Sequence, residues 1–166
     1  MPVVISDTTA LNYLARTGQF ELLRLQFQRV LVPPAVLAEL KARPDLSGER
    51  CVLRAITEGW MALRSPQKTS AVQVLRTTLG AGEAEAIVLA PELPSCLLLM
   101  DEAAGRAVAK RLHLNLIGMA GILLQARKEG LIPKLQPLLD ELMQRQNFRL
   151  SRKIYAEVLR EVGEAE

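Results

Sequence analysis

Four acidic residues stand where a chain of alternating strands and helices can gather them. Asp7 closes the apolar run Val3-Val4-Ile5, and Glu39 lies in a helix opened by Pro33-Pro34. Glu83 begins the helix behind Gly80-Ala81-Gly82, and Asp101 directly follows Leu97-Leu98-Leu99-Met100. Carboxylates that converge on one cleft suit a hard divalent cation such as Mg²⁺ or Mn²⁺, which takes oxygen ligands and keeps waters able to act as nucleophiles. Taken singly, each acid has a plainer reading. Asp7 and Asp101 can cap the helices that follow them, and Glu39 and Glu83 can be solvated residues on helix faces. Only the set of four, in register with one fold, favours chemistry.

Other polar residues extend the candidate site. Thr8 and Thr9 are cap and turn residues whose hydroxyls could also orient Asp7 or a metal-bound water, and Asn12, one helical turn beyond Thr8, is a weaker candidate for polar lining. Glu85 competes with Glu83. Residues two apart on a helix point about 200° apart, so only one of the pair can face the cleft. Arg106 and Lys110 lie four apart, with Arg111 adjacent, and could meet RNA phosphates or form an ordinary solvated basic face. His113 is the sole histidine, which leaves histidine-based general bases and histidine-rich zinc sites without material.

The elements that must position these residues can be read from periodicity. Val3-Val4-Ile5 is a short strand, and Thr8–Thr17 a helix stopped by Gly18. A helical segment around Phe20–Leu23 leads to a strand at Arg29–Val32 and then to the Pro33-Pro34 helix. Pro44–Gly48 and Ser65–Lys68 read as loops on either side of a short strand at Trp60–Leu63. A helix from Gly80 to Ala90 precedes the strand Leu97–Met100, which is apolar on both faces and so belongs inside a parallel sheet. A helix over 102–112, a strand at Asn115–Gly118 and further helices complete the chain. The expected fold class is α/β, a three-layer α/β/α arrangement with a central, mostly parallel sheet of about four to five strands. In such sheets ligands collect at the carboxyl ends of the strands, which selects Asp7 and Asp101.

Bulk properties narrow the function. The 166 residues suit a single domain, 1–166, with a C-terminal helical extension from about residue 131, and 49% hydrophobic residues can fill a sizeable core. Twenty-one basic residues against 18 acidic give a net charge of +3, too small by itself to mark a nucleic-acid binder. Three Phe, two Tyr and one Trp argue against a base-stacking platform. Cys51 and Cys96 have no metal-ligand spacing, and Cys96 reads as a buried thiol. The N-terminus does not read as a signal peptide, and no apolar run spans a bilayer, so a cytoplasmic protein without membrane contact is expected.

The motifs together resemble the PIN-domain family. Ile5-Ser6-Asp7-Thr8-Thr9-Ala10-Leu11 resembles its opening strand and first metal-binding acid, and Pro33-Pro34-Ala35-Val36-Leu37-Ala38-Glu39-Leu40 its second motif. Gly82-Glu83-Ala84-Glu85-Ala86-Ile87-Val88-Leu89-Ala90 and Leu97-Leu98-Leu99-Met100-Asp101 resemble the third and fourth, and the likeness continues through Leu116-Ile117-Gly118 to Phe148-Arg149-Leu150-Ser151. Within that superfamily it looks most like a little-characterised prokaryotic branch of predicted nucleic-acid-binding proteins with toxin-like members. The resemblance implies a PIN-like fold and an Mg²⁺- or Mn²⁺-dependent endoribonuclease whose catalytic and metal-holding residues are Asp7, Glu39, Glu83 and Asp101. It also implies RNA as partner and a cognate antitoxin; a homodimer is a separate expectation, with the amphipathic stretches 131–143 and 154–162 read first as core packing. The third acid here is glutamate where many PIN domains carry aspartate, and its distance from Asp101 along the chain favours Glu83 over Glu85. Two other classes compete: a catalytically silent binding or interaction module on the same fold, and a phosphatase or nucleotide-binding regulator. The latter lacks support, since Gly80-Ala81-Gly82 has neither the lysine and Ser/Thr of a P-loop nor a dinucleotide glycine pattern.

Overall fold

The computed structural model describes residues 2–164. They form two compact units, the first ending at Gly118 and the second beginning at Met119.

The first unit is built on five strands: β1 (Val3–Ser6), β2 (Arg29–Val32), β3 (Met61–Leu63), β4 (Cys96–Leu99) and β5 (Leu116–Ile117). All four strand pairs are parallel, in the order β3-β2-β1-β4-β5. Parallel neighbours need crossover helices, and the strand residues are accordingly β-branched or leucine-rich and mostly buried. The helices are α1 (Thr8–Arg16), α2 (Glu21–Gln26), α3 (Pro34–Lys41), α4 (Gly48–Glu58), α5 (Thr69–Leu75), α6 (Ala81–Leu89) and α7 (Ala103–Arg111). This is the α/β/α arrangement the strand-helix alternation predicts, with a sheet that is entirely rather than mostly parallel. Ile5, Leu31 and Leu98 alternate onto one sheet face and pack with Ala86, Ile87 and Leu89 of α6 and Ala109 of α7.

Two helices were not read from the sequence. The stretch after Pro44–Gly48 is helix α4, which buries Val52 and Ala55, and the stretch after Ser65–Lys68 is α5, which buries Val72. Neither carries a side-chain cap at its start, and Ser47 before α4 takes a left-handed conformation with φ 65°.

The second unit holds α8 (Met119–Lys128), α9 (Gln136–Arg145) and α10 (Arg152–Glu161). The carboxylate of Glu164 accepts the backbone N–H groups of Leu135 and Gln136, at 2.8 and 3.0 Å, and so caps α9. Arg127 donates to the same carboxylate at 3.1 Å. Among the described residues, no helix is long and apolar enough to cross a membrane.

Candidate active site

The strand order reverses direction between β1 and β4, so the crossovers leave a crevice at the carboxyl ends of these two neighbours. Asp7 is the first residue past β1 and Asp101 lies two residues past β4, which brings both acids to that crevice.

Asp7 is 1% exposed. Its Oδ1 accepts the Ala10 backbone N–H at 3.1 Å and caps α1, while Oδ2 is buried and has no hydrogen-bond partner. The capping reading of Asp7 is therefore correct but accounts for only one oxygen. Burial pushes its carboxyl well above the usual range of aspartate; the Ala10 bond opposes this, and the charges of Asp101, Glu83 and Glu102 add to it.

Glu83 sits in the first turn of α6. Its Oε2 is also buried without a partner and lies close against Gly105 of α7. Burial raises its carboxyl; the Gly80 backbone N–H opposes the rise, and Glu102 and Glu39 increase it. Glu85 points elsewhere. Its Oε1 accepts the backbone N–H of Ala35 at 2.8 Å, in the first turn of α3.

Glu39 takes the Gly82 backbone N–H on one oxygen and the Thr8 hydroxyl, at 3.3 Å, on the other. Asn12, by contrast, turns its Oδ1 towards Gly48 at the start of α4. Arg106 donates from Nη1 to the Met100 carbonyl at 2.8 Å, so it braces the end of β4 beside Asp101. Lys110 and Arg111 are exposed in the last turn of α7, about 10 Å along the axis from its start at 1.5 Å per residue.

Sequence reasoning missed two residues. Glu102, adjacent to Asp101, raises the carboxyls of both Asp7 and Glu83, and it raises the phenol of half-buried Tyr13 once burial has done so first. A second acid immediately after a strand-end acid was the available signal. Nothing in the sequence marks Tyr13.

Three glycines receive these acids closely. A Cβ on Gly82 would collide with Glu39 Oε1, one on Gly105 with Glu83 Oε2, and one on Gly118 would lie 2.8 Å from Asp101 Oδ1. Among the described residues, no three His, Cys, Asp or Glu side chains are already drawn into a metal cage. The donors nevertheless suit Mg²⁺ or Mn²⁺. All are oxygens, two are buried and unpartnered, and their mutual repulsion is what a cation relieves; Mg²⁺ typically needs only one or two carboxylates because it retains its waters.

An all-parallel α/β/α protein with buried carboxylates at the switch point defines the general class. Within it, the family described as PIN domain matches residues 3–164, and the chain belongs to that family. PIN domains are in general metal-dependent nucleases that act on nucleic acid, typically with divalent metals. A comparison with curated proteins finds no match.

Proposed function

We propose that this chain is an Mg²⁺- or Mn²⁺-dependent endoribonuclease. The observation that carries the reading is the pair of buried, unpartnered carboxylate oxygens, Asp7 Oδ2 and Glu83 Oε2, beside the switch point of a PIN-domain sheet. Asp7, Glu83 and Asp101 would hold the ion, with Glu102 adding negative charge at the rim. A divalent ion there supplies Lewis acidity to the phosphodiester and lowers the pKa of an attacking water. The Ala10 N–H fixes the Asp7 carboxylate by one oxygen and leaves the other for the ion. Arg106 keeps the β4 terminus in place through the Met100 carbonyl, and exposed Lys110 and Arg111 are left to meet RNA phosphates.

The test is cleavage of a synthetic RNA pool with Mn²⁺, Mg²⁺ or chelator, with Asp7→Asn alongside. Metal-dependent cleavage that the variant lacks is expected. Cleavage that persists in chelator overturns the metal requirement, and equal cleavage by Asp7→Asn overturns the site. The competing reading, a silent binding module on the same fold, predicts RNA retention without cleavage under every metal condition. The resemblance further supports a toxin held by a cognate antitoxin, and a cytoplasmic homodimer is proposed alongside it. Growth arrest on expression, relieved by the product of an adjacent gene, is the expected outcome.

A further inference from the structure

Helices α3 and α6 both begin on residues with no side-chain group to cap them. Pro33 and Gly80 occupy the N-cap positions, and neither makes a side-chain cap hydrogen bond. The orphan N–H groups of a first helical turn need acceptors, and here each helix takes one from the other. Glu39 of α3 accepts from Gly82, the second residue of α6, and Glu85 of α6 accepts from Ala35, the second residue of α3. The two glutamates thus form a reciprocal clasp. A Cβ at Gly82 would strike Glu39 and lie 3.0 Å from both Thr8 Oγ1 and Val36 Cγ2, so any larger residue there would push the Glu39 carboxylate off the Gly82 amide.

Glu39 therefore differs from the other acids. Each of its oxygens faces a protein donor, Gly82 N–H or Thr8 O–H, and neither is among the buried unpartnered oxygens. Its charge reaches Glu83, whereas the acids that act on Asp7 are Asp101, Glu83 and Glu102. Glu83 follows directly on Gly82, so whatever fixes the Gly82 amide also fixes the origin of the Glu83 side chain.

We propose that Glu39 is a positioning residue that clamps the first turn of α6 so that Glu83 faces the cleft, rather than a holder of the ion. The inference rests on the nuclease reading for its consequence in catalysis, but the clamp itself can be observed without metal.

Glutamine separates the two roles. Its amide oxygen can accept from Gly82 and its NH₂ can donate to Thr8 Oγ, so the clamp is kept while the charge is lost. In full-length protein, Glu39→Ala should expose the Gly82 amide to hydrogen exchange, weaken calorimetrically measured Mn²⁺ binding about tenfold, and lower kcat with KM little changed. Glu39→Gln should restore all three towards wild type. Glu83→Gln should lose Mn²⁺ binding with the Gly82 amide still protected. The proposal is overturned if Glu39→Gln loses Mn²⁺ as fully as Glu83→Gln while Gly82 stays protected, for Glu39 then holds the ion. If Glu39→Ala does not fold, the glutamine variant alone decides on the same criteria. If the wild type neither binds Mn²⁺ nor cleaves RNA, the nuclease reading fails by itself, and Gly82 exchange decides the clamp: protection unchanged in Glu39→Ala overturns it.

Discussion

The backbone N–H of Asp7 donates to the carbonyl of Leu99 at 3.2 Å, extending the β1–β4 ladder one residue beyond Ser6. The link ties the residue just past β1 to the end of β4, so the Asp7 carboxylate is held at a fixed height beside it. A side chain so placed gives up solvation without gaining a second partner, and its chemistry can be tested through that cost.

Asp7→Asn should raise the melting temperature of the metal-free protein at neutral pH, because it removes a charge whose burial is unfavourable. The sign follows from the raised carboxyl: the folded protein holds its proton more tightly than the unfolded chain does. The Asp7 contribution therefore worsens as pH rises from the aspartate range through the folded value, and stays at its least favourable above it. Melting curves with and without Mn²⁺ check this. Wild type should gain stability with the ion, and the variant should not, while cleavage falls at least about 100-fold. A variant that melts below wild type and still responds to Mn²⁺ would contradict the assignment.

Glu85→Ala should cost stability and spare chemistry. The Ala35 N–H loses its acceptor, worth about 1–2 kcal/mol for a cap, or a melting point lower by roughly 2–8 °C in a chain of this size. Cleavage measured well below the transition should stay near wild type. A collapse of cleavage at unchanged stability would move Glu85 into the cleft in place of Glu83.

Gly105→Ala should show the reverse. Alanine gains about 1 kcal/mol of helix propensity over glycine, against about 1–3 kcal/mol for a crowded contact. The added Cβ would sit 2.6 Å from the Met100 sulfur and closer still to Glu83 Oε2. The net change in melting temperature should stay below about 8 °C, while cleavage and Mn²⁺ affinity both fall because Glu83 is displaced. Unchanged affinity would show that the Glu83 carboxylate is not needed where it lies.

Glu164 makes the second unit sensitive to acid. Burial raises its carboxyl, but the N–H groups of Gln136 and Leu135 and the guanidinium of Arg127 outweigh burial and hold it below its usual value of 4.5. The stabilisation is complete above that value and is lost as pH falls through the lower, folded one. Glu164→Ala should destabilise the protein by about 2–3 kcal/mol at neutral pH and flatten the acid limb of a plot of melting temperature against pH. An acid limb identical to wild type would remove Glu164 as its source.

Much of this architecture could be read from the chain. Apolar runs that end abruptly in an acid located the carboxyl ends of β1 and β4, and strand-helix alternation implied the sheet. What escaped was tertiary in origin. The caps of α3 and α6 come from residues 50 and 43 positions away in sequence, so no local pattern records them. Arg106 has a phosphate-binding look on a helical wheel, yet it is engaged by the Met100 carbonyl, an acceptor freed only where β4 ends. Helix α4 starts behind Ser47, whose left-handed backbone leaves its side chain without a cap hydrogen bond inside a turn-like Pro-Asp-Leu-Ser-Gly run, and α5 starts behind Lys68, which has no capping side chain.

The three glycines beneath the acids leave a different kind of trace. Gly82, Gly105 and Gly118 carry no reactive group, yet each offers the bare Cα that lets a carboxylate lie flush against the backbone. A saturation screen for cleavage should therefore mark these positions as intolerant almost as strongly as the acids. In a fold where any surface helix can present a glutamate, the missing side chains are the more telling imprint of the site. A search of unfamiliar chains for an acid seated on a glycine of a neighbouring element would separate working carboxylates from decorative ones.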